Sequence, residues 1–179
     1  MSNIKLILMS MLLIFGGVLF FLHQESWIMI NFASPSSHIK KNNIQIQPKE
    51  TPIWIFANGN FKKETTEIIF SNDHAQTIKL LLNSWLTTLE EENIIDKQIT
   101  VQSVILSPSG QDAFICLTES PLGKQASTYE KLMIIESMLK TLKDAKLGII
   151  NVRLLVHHQP MLDPHLNFDI SWPVTGYLG

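Results

Sequence analysis

The sequence predicts an α+β protein: one N-terminal transmembrane helix, then a small mixed sheet of about five to six strands covered on one face by two α-helices. Three observations carry this. Residues Leu6 to Leu22 form a seventeen-residue run without a formal charge. Two later segments place apolar residues three and four positions apart, the period of a helix with one buried face. Around them lie short β-branched and aromatic runs bounded by Asn, Gly, Ser and Pro, the punctuation of strands and turns.

At a helical rise of about 1.5 Å per residue, the N-terminal run covers roughly 26 Å, close to the ~30 Å hydrocarbon core of a bilayer. Only Ser10 could serve as a polar face within it, so a helix of a water-soluble core is a poor reading. A cleaved export signal is the alternative to an anchor, although its apolar stretch is usually shorter, about 7–15 residues. Trp27, Ile28, Ile30 and Phe32 suit the headgroup zone. Lys5 before the run favours a short cytoplasmic N-terminus and an exported C-terminal part. Residues 1–33 are therefore expected to be an anchor with an interfacial segment, contacting lipid through Leu6 to Leu22. Gly16-Gly17 permits close helix approach, but without a Gly-xxx-Gly spacing it is a weak pairing signal.

Residues 34–52, dense in Ser, Pro, Asn, Gln and Lys and free of aromatics, read as a flexible linker. Residues 53–179 are the expected domain. From Thr51 onward, ten Lys and Arg stand against fourteen Asp and Glu, and Arg153 is the sole arginine, so nucleic acid is not an expected partner. With Cys116 alone, no intramolecular disulfide can form, and stability must come from packing. Cys116 lies in an apolar run and reads as a small buried hydrophobe.

The domain opens with the strand Ile53 to Ala57, the turn Asn58-Gly59-Asn60 and a second strand ending at Ile68-Ile69-Phe70. Ser71-Asn72-Asp73 offers capping side chains to a helix from about His74 to Glu92, with Ala75, Ile78, Leu82, Trp85 and Leu89 on its apolar face. Ile99 to Leu106 and Gln111 to Thr118 flank the turn Ser107-Pro108-Ser109-Gly110 and predict a hairpin. Ser127 and Glu130 form a capping box, in which each side chain satisfies a backbone N–H of the other. The helix they open continues through Leu132, Ile135, Leu139 and Leu142, and Gly148 is expected to terminate it. Ile150 to His157 reads as a central strand. Leu166 to Ile170 alternates as a last edge strand, with Pro173 ending the pairing.

The order of elements, with Ile53-Trp54-Ile55-Phe56, Ile78-Lys79-Leu80-Leu81-Leu82, Ala113 to Thr118, Met138 to Leu142 and Val152 to Val156 leading to Asp169-Ile170-Ser171, resembles the GerMN domain. That domain is a small module of bacterial membrane-bound and lipoprotein components first associated with sporulation and spore germination. Where that family typically carries a Val-Asp-Leu-Ser-like tetrad, this chain has Ile115-Cys116-Leu117-Thr118. The resemblance implies a non-catalytic binding or assembly part of an envelope complex. The expected setting is the bacterial cytoplasmic membrane, single-pass, with the C-terminal domain exported.

Chemically versatile side chains gather in His157, His158, Asp163, His165 and Asp169, a mixture of imidazole and carboxylate that zinc favours. Adjacent strand residues point to opposite faces, and no i, i+4 histidine pair of a zinc hydrolase is present, so no metal or cofactor is expected. Nucleophile elbows and phosphate-binding glycine loops are absent too. These five residues, with Trp54 and Trp172, form the candidate binding surface, expected to face another envelope protein or a cell-wall glycan. The alternative is an envelope hydrolase, metal- or carboxylate-dependent, acting on cell-wall material.

Overall fold

The computed structural model describes Met9, Met11 and residues 47–177. The chain divides into two compact units, Met1–Asn42 and Asn43–Gly179. In the first, the described residues Met9 and Met11 are helical. The second begins with strands β1 (Gln47–Ala57) and β2 (Asn60–Phe70), an antiparallel pair in unbroken register from Gln47–Phe70 to Ala57–Asn60. Asn58 and Gly59 close it with φ of 52° and 78°, the double left-handed turn that matches the twist of a tight hairpin.

Helix α1 (His74–Glu91) starts where the Asp73 carboxylate accepts from the N–H groups of Ala75 and Gln76. Strands β3 (Val101–Leu106) and β4 (Asp112–Leu117) are an antiparallel pair with a register shift between Val101 and Ser103. Helix α2 (Thr128–Ala145) opens on the predicted capping box: Ser127 Oγ accepts from Glu130 N–H, and the Glu130 carboxylate accepts from Ser127 N–H. Its C-cap is Lys146, at φ 55°, two residues before Gly148. Strand β5 (Asn151–Val156) lies parallel to β4, making β4–α2–β5 a crossover unit. The short strands β6 (Gln159–Pro160) and β7 (Trp172–Pro173) both pair antiparallel with β5.

One apolar core joins these parts. Ala113, Ile115, Leu117, Val152 and Leu154 line one face of the β3–β7 sheet, and they cluster with Ile78, Leu81, Trp85, Ile135 and Leu139 of the helices and Ile53 and Ile55 of β1. Burying each large aliphatic side chain contributes roughly 1.5–3 kcal/mol. The hairpin stands beside α2: Trp54 N–H donates to Thr141 Oγ1 at 2.9 Å, and Trp54 Nε1–H donates to Asp144 Oδ2 at 2.9 Å.

The expected fold needs correction. The strands form two separate sheets, β1–β2 and a five-stranded mixed sheet, because the outer edge of β1 meets helix α2 rather than a strand. Leu166 to Ile170 is loop; the final pairing uses Trp172 and Pro173, with Pro173 opposite Asn151. Alternation there reflects Phe168 sinking into the core and stacking on Trp172, with ring centroids 5.3 Å apart. Residues 47–52, read from sequence as the end of the linker, belong to β1. Among the described residues no helix is long and apolar enough to cross a membrane, and the expected span Leu6 to Leu22 lies, but for Met9 and Met11, outside them.

The turn at Gly176 is fastened by Glu136, a buried α2 residue whose Oε1 accepts from Tyr177 N–H at 2.7 Å. Gly176 lies at φ 75° with its missing Cβ directed at the Glu136 carboxylate. Gly176→Ala is therefore expected to destabilise the domain by about 1–3 kcal/mol, read by urea melts, with early loss of hydrogen-exchange protection at Tyr177.

Candidate functional site

Strands β4 and β5 run side by side and end together at Leu117 and Val156. Beyond the carboxyl ends of parallel strands the chain must leave the sheet in different directions, and the crevice so formed is where open α/β sheets commonly take ligands. Here three connections wall a groove of about 1060 Å³: residues 93–99 between α1 and β3, residues 119–126 between β4 and α2, and residues 162–164 after β6. Ile94, Leu122, Val156 and Leu162 give it an apolar lining, and Asp96, Lys97, Glu119 and Lys124 a charged rim.

Its floor holds an ion pair. Lys131, one turn into α2, reaches Asp163 with Nζ 2.7 Å from Oδ2, and both side chains are more than nine-tenths buried. The other carboxylate oxygen, Oδ1, accepts from the N–H groups of His165 and Leu166 at 2.9 and 3.1 Å. Burial by itself drives the Asp163 carboxyl toward a higher pKa; the Lys131 ammonium and the two backbone donors outweigh it and leave Asp163 below the usual carboxylate range. On the rim, Lys97 Nζ lies 2.8 Å from Glu119 Oε2. That hydrogen bond and charge lower the Glu119 pKa and raise that of Lys97, and the charge of His157 lowers Glu119 slightly further.

The residues expected from sequence to form one surface are dispersed. His157 and His158, exposed at φ 51° and 62°, are the two central residues of the β5–β6 turn. The strand has ended before them, and His158 N–H donates to Cys116 Sγ at 3.3 Å. Asp163, His165 and Asp169 line a smaller, shallow depression of about 290 Å³, formed by the single loop Met161–Asp169. Among the described residues no three His, Cys, Asp or Glu side chains converge as a metal-binding group. Trp172 is buried, its Nε1–H bonded to Asn167 O at 3.0 Å. The ammonium groups of Lys63 and Lys140 each lie over the Trp54 ring, 5.6 and 5.5 Å from its centroid.

Lys131, Lys97, Glu119, Leu122 and Leu162 were not among the sequence candidates. Lys131 had a readable signal: it stands four residues before Ile135 on the apolar stripe of α2, a position that buries its side chain and demands a counter-charge. The groove's other residues come from three connections distant in sequence, and no local pattern announces them.

Fold and site together define an α+β domain with a βαβ crossover and an open groove past its parallel strand ends. No protein-family model matches the chain, and no curated protein matches it. Among solved structures it is similar to one from Clostridium perfringens, designated a candidate lipoprotein. The likeness has a TM-score of 0.41 and 17% identity over 73% of this chain and 91% of that one.

Proposed function

We propose that the chain is a non-catalytic binding or scaffolding module of a bacterial envelope assembly, akin to GerMN domains, and that the groove receives a polypeptide segment of another envelope protein. The observation that carries this reading is the groove itself. Four of its charged groups are engaged with each other in the pairs Lys131–Asp163 and Lys97–Glu119, so the Asp163 and Glu119 carboxylates are each held by a cation. Leu162 stands 92% exposed on the rim, directly before the buried Asp163, where an apolar side chain of a partner can cover it. The charge-free apolar run at residues 6–22 of the sequence supports an envelope location.

A photo-crosslinking side chain placed at Leu162 in the full-length chain, expressed in its own cell envelope, tests the reading. The expected result is a cross-link to one envelope polypeptide, reduced about tenfold by Ile94→Ala, the loss of one partly exposed apolar contact in the groove. The Trp54→Ala variant should retain it. Cross-links only to glycan, or cell-wall hydrolysis by the purified chain, would overturn it.

A further inference from the structure

Helix side chains close two of the domain's long strand edges. Along β1, Trp54 N–H donates to Thr141 Oγ1, and its carbonyl oxygen lies 3.5 Å from the same hydroxyl. Along β3, Asn83 Oδ1 accepts from Val101 N–H at 2.8 Å and Lys79 Nζ donates to Gln102 O at 2.9 Å, next to the register shift. The outer edge of β2 has no such cover among the described residues. It runs eleven residues without a bulge and, among the described residues, pairs only with β1. Regular, uncovered edges of this length are templates for a further strand.

The backbone direction along that edge follows from Trp54. Its N–H and C=O both face away from β2, so Trp54–Lys63 is a non-hydrogen-bonded pair, and the corresponding groups of Lys63 face outward. By the two-residue period, the outward groups belong to Phe61, Lys63, Thr65, Glu67 and Ile69. The side chains of these same residues share the outer face of the hairpin, opposite the face on which Ile53, Ile55 and Ile68 are buried.

We propose that β2 is a self-association edge, at which two copies of this chain pair β2 against β2 antiparallel about a two-fold axis through Thr65. In that register Phe61 meets Ile69, Lys63 meets Glu67 and Thr65 meets Thr65, and each pair repeats in reverse across the axis. Apolar thus faces apolar and cation faces anion, as an isologous interface requires. Neighbouring registers of the same parity are worse. Axes through Lys63 or Glu67 set like charges opposite each other, and axes through Glu64 or Thr66 set a charge opposite Phe61 or Ile69. Within one copy Glu67 lies directly across from Glu50, an exposed like-charge pair that a second copy's Lys63 relieves. Lys62 turns away to Glu92, 3.1 Å distant, and does not obstruct the edge. This surface is separate from the groove and does not depend on its occupant.

The test uses the full-length chain in mild detergent, with light scattering and zero-length carbodiimide cross-linking. A dimer is expected, with a Lys63–Glu67 cross-link. Within one strand these residues are roughly 14 Å apart, beyond the reach of such a bond. Lys63→Glu and Glu67→Lys should each weaken the dimer about tenfold, and the two together should restore it. A chain that stays monomeric, a dimer indifferent to both reversals, or a double variant that fails to recover would overturn the proposal; the edge charges would then be guards against pairing.

Discussion

Replacing Asp163 with alanine is expected to destabilise the domain by about 3–5 kcal/mol, because it leaves the Lys131 ammonium buried without its partner. The Lys131 side chain is 3% exposed and its Nζ bonds to Asp163 Oδ2 at 2.7 Å, so it cannot reach water without opening the groove floor. The same change frees the N–H groups of His165 and Leu166 and loosens the loop that carries Leu162. Urea melts would measure the loss. The double variant Lys131→Met, Asp163→Leu, which removes both charges and keeps apolar volume, should recover the part due to the unpaired ammonium, while the N–H groups of His165 and Leu166 still lack their acceptor.

The pair also sets an acid limit. The folded-state pKa of Asp163 lies below its unfolded value of about 3.9, so its contribution is complete above that value and disappears as pH falls through the lower, folded one. Wild-type stability should therefore drop below about pH 4 more steeply than that of the double variant, which lacks this proton uptake.

Trp85→Ala is expected to cost a similar 3–5 kcal/mol. Trp85 is 1% exposed on α1, and its Nε1–H points at Ser137 Oγ on α2, 3.3 Å away. Truncation opens a cavity where the two helices meet, and close-packed neighbours relax only partly into such a space. Trp85→Phe separates the two contributions: it keeps most of the volume, loses the N–H donor, and should cost about 1 kcal/mol beyond the small difference in size. Ser137 Oγ stays bonded to Ile134 O at 2.7 Å, so no donor is stranded on α2. Thermal and urea unfolding of both variants would read the difference.

Groove residues and core residues differ in how far sequence could reach them. Trp85 announced itself by lying seven residues after Ile78 and four before Leu89, on a stripe whose period alone implies burial. Asp163 stands in the sequence as one of two carboxylates among three histidines, a neighbourhood that names no counter-ion. The structure gives it Lys131 instead, thirty-two residues earlier, because the crossover brings the first turn of α2 and the loop after β6 to the same end of the sheet. Leu166 to Ile170 shows the converse: of the alternating Leu166, Phe168 and Ile170 only Phe168 is buried, and a buried residue within a loop carries the same signature as a strand.

Sequence by itself determined both helices, the Ser127–Glu130 capping box, the Asn58-Gly59 and Ser107 to Gly110 turns and the hairpins they join, because each depends on residues a few positions apart. Only the tertiary structure decided that β1–β2 stands apart from the main sheet, that β4 and β5 run parallel with a groove at their ends, and that Lys131 meets Asp163. Those outcomes depend on which distant surfaces bury the most apolar area together, a competition across the whole chain that no short stretch of residues encodes.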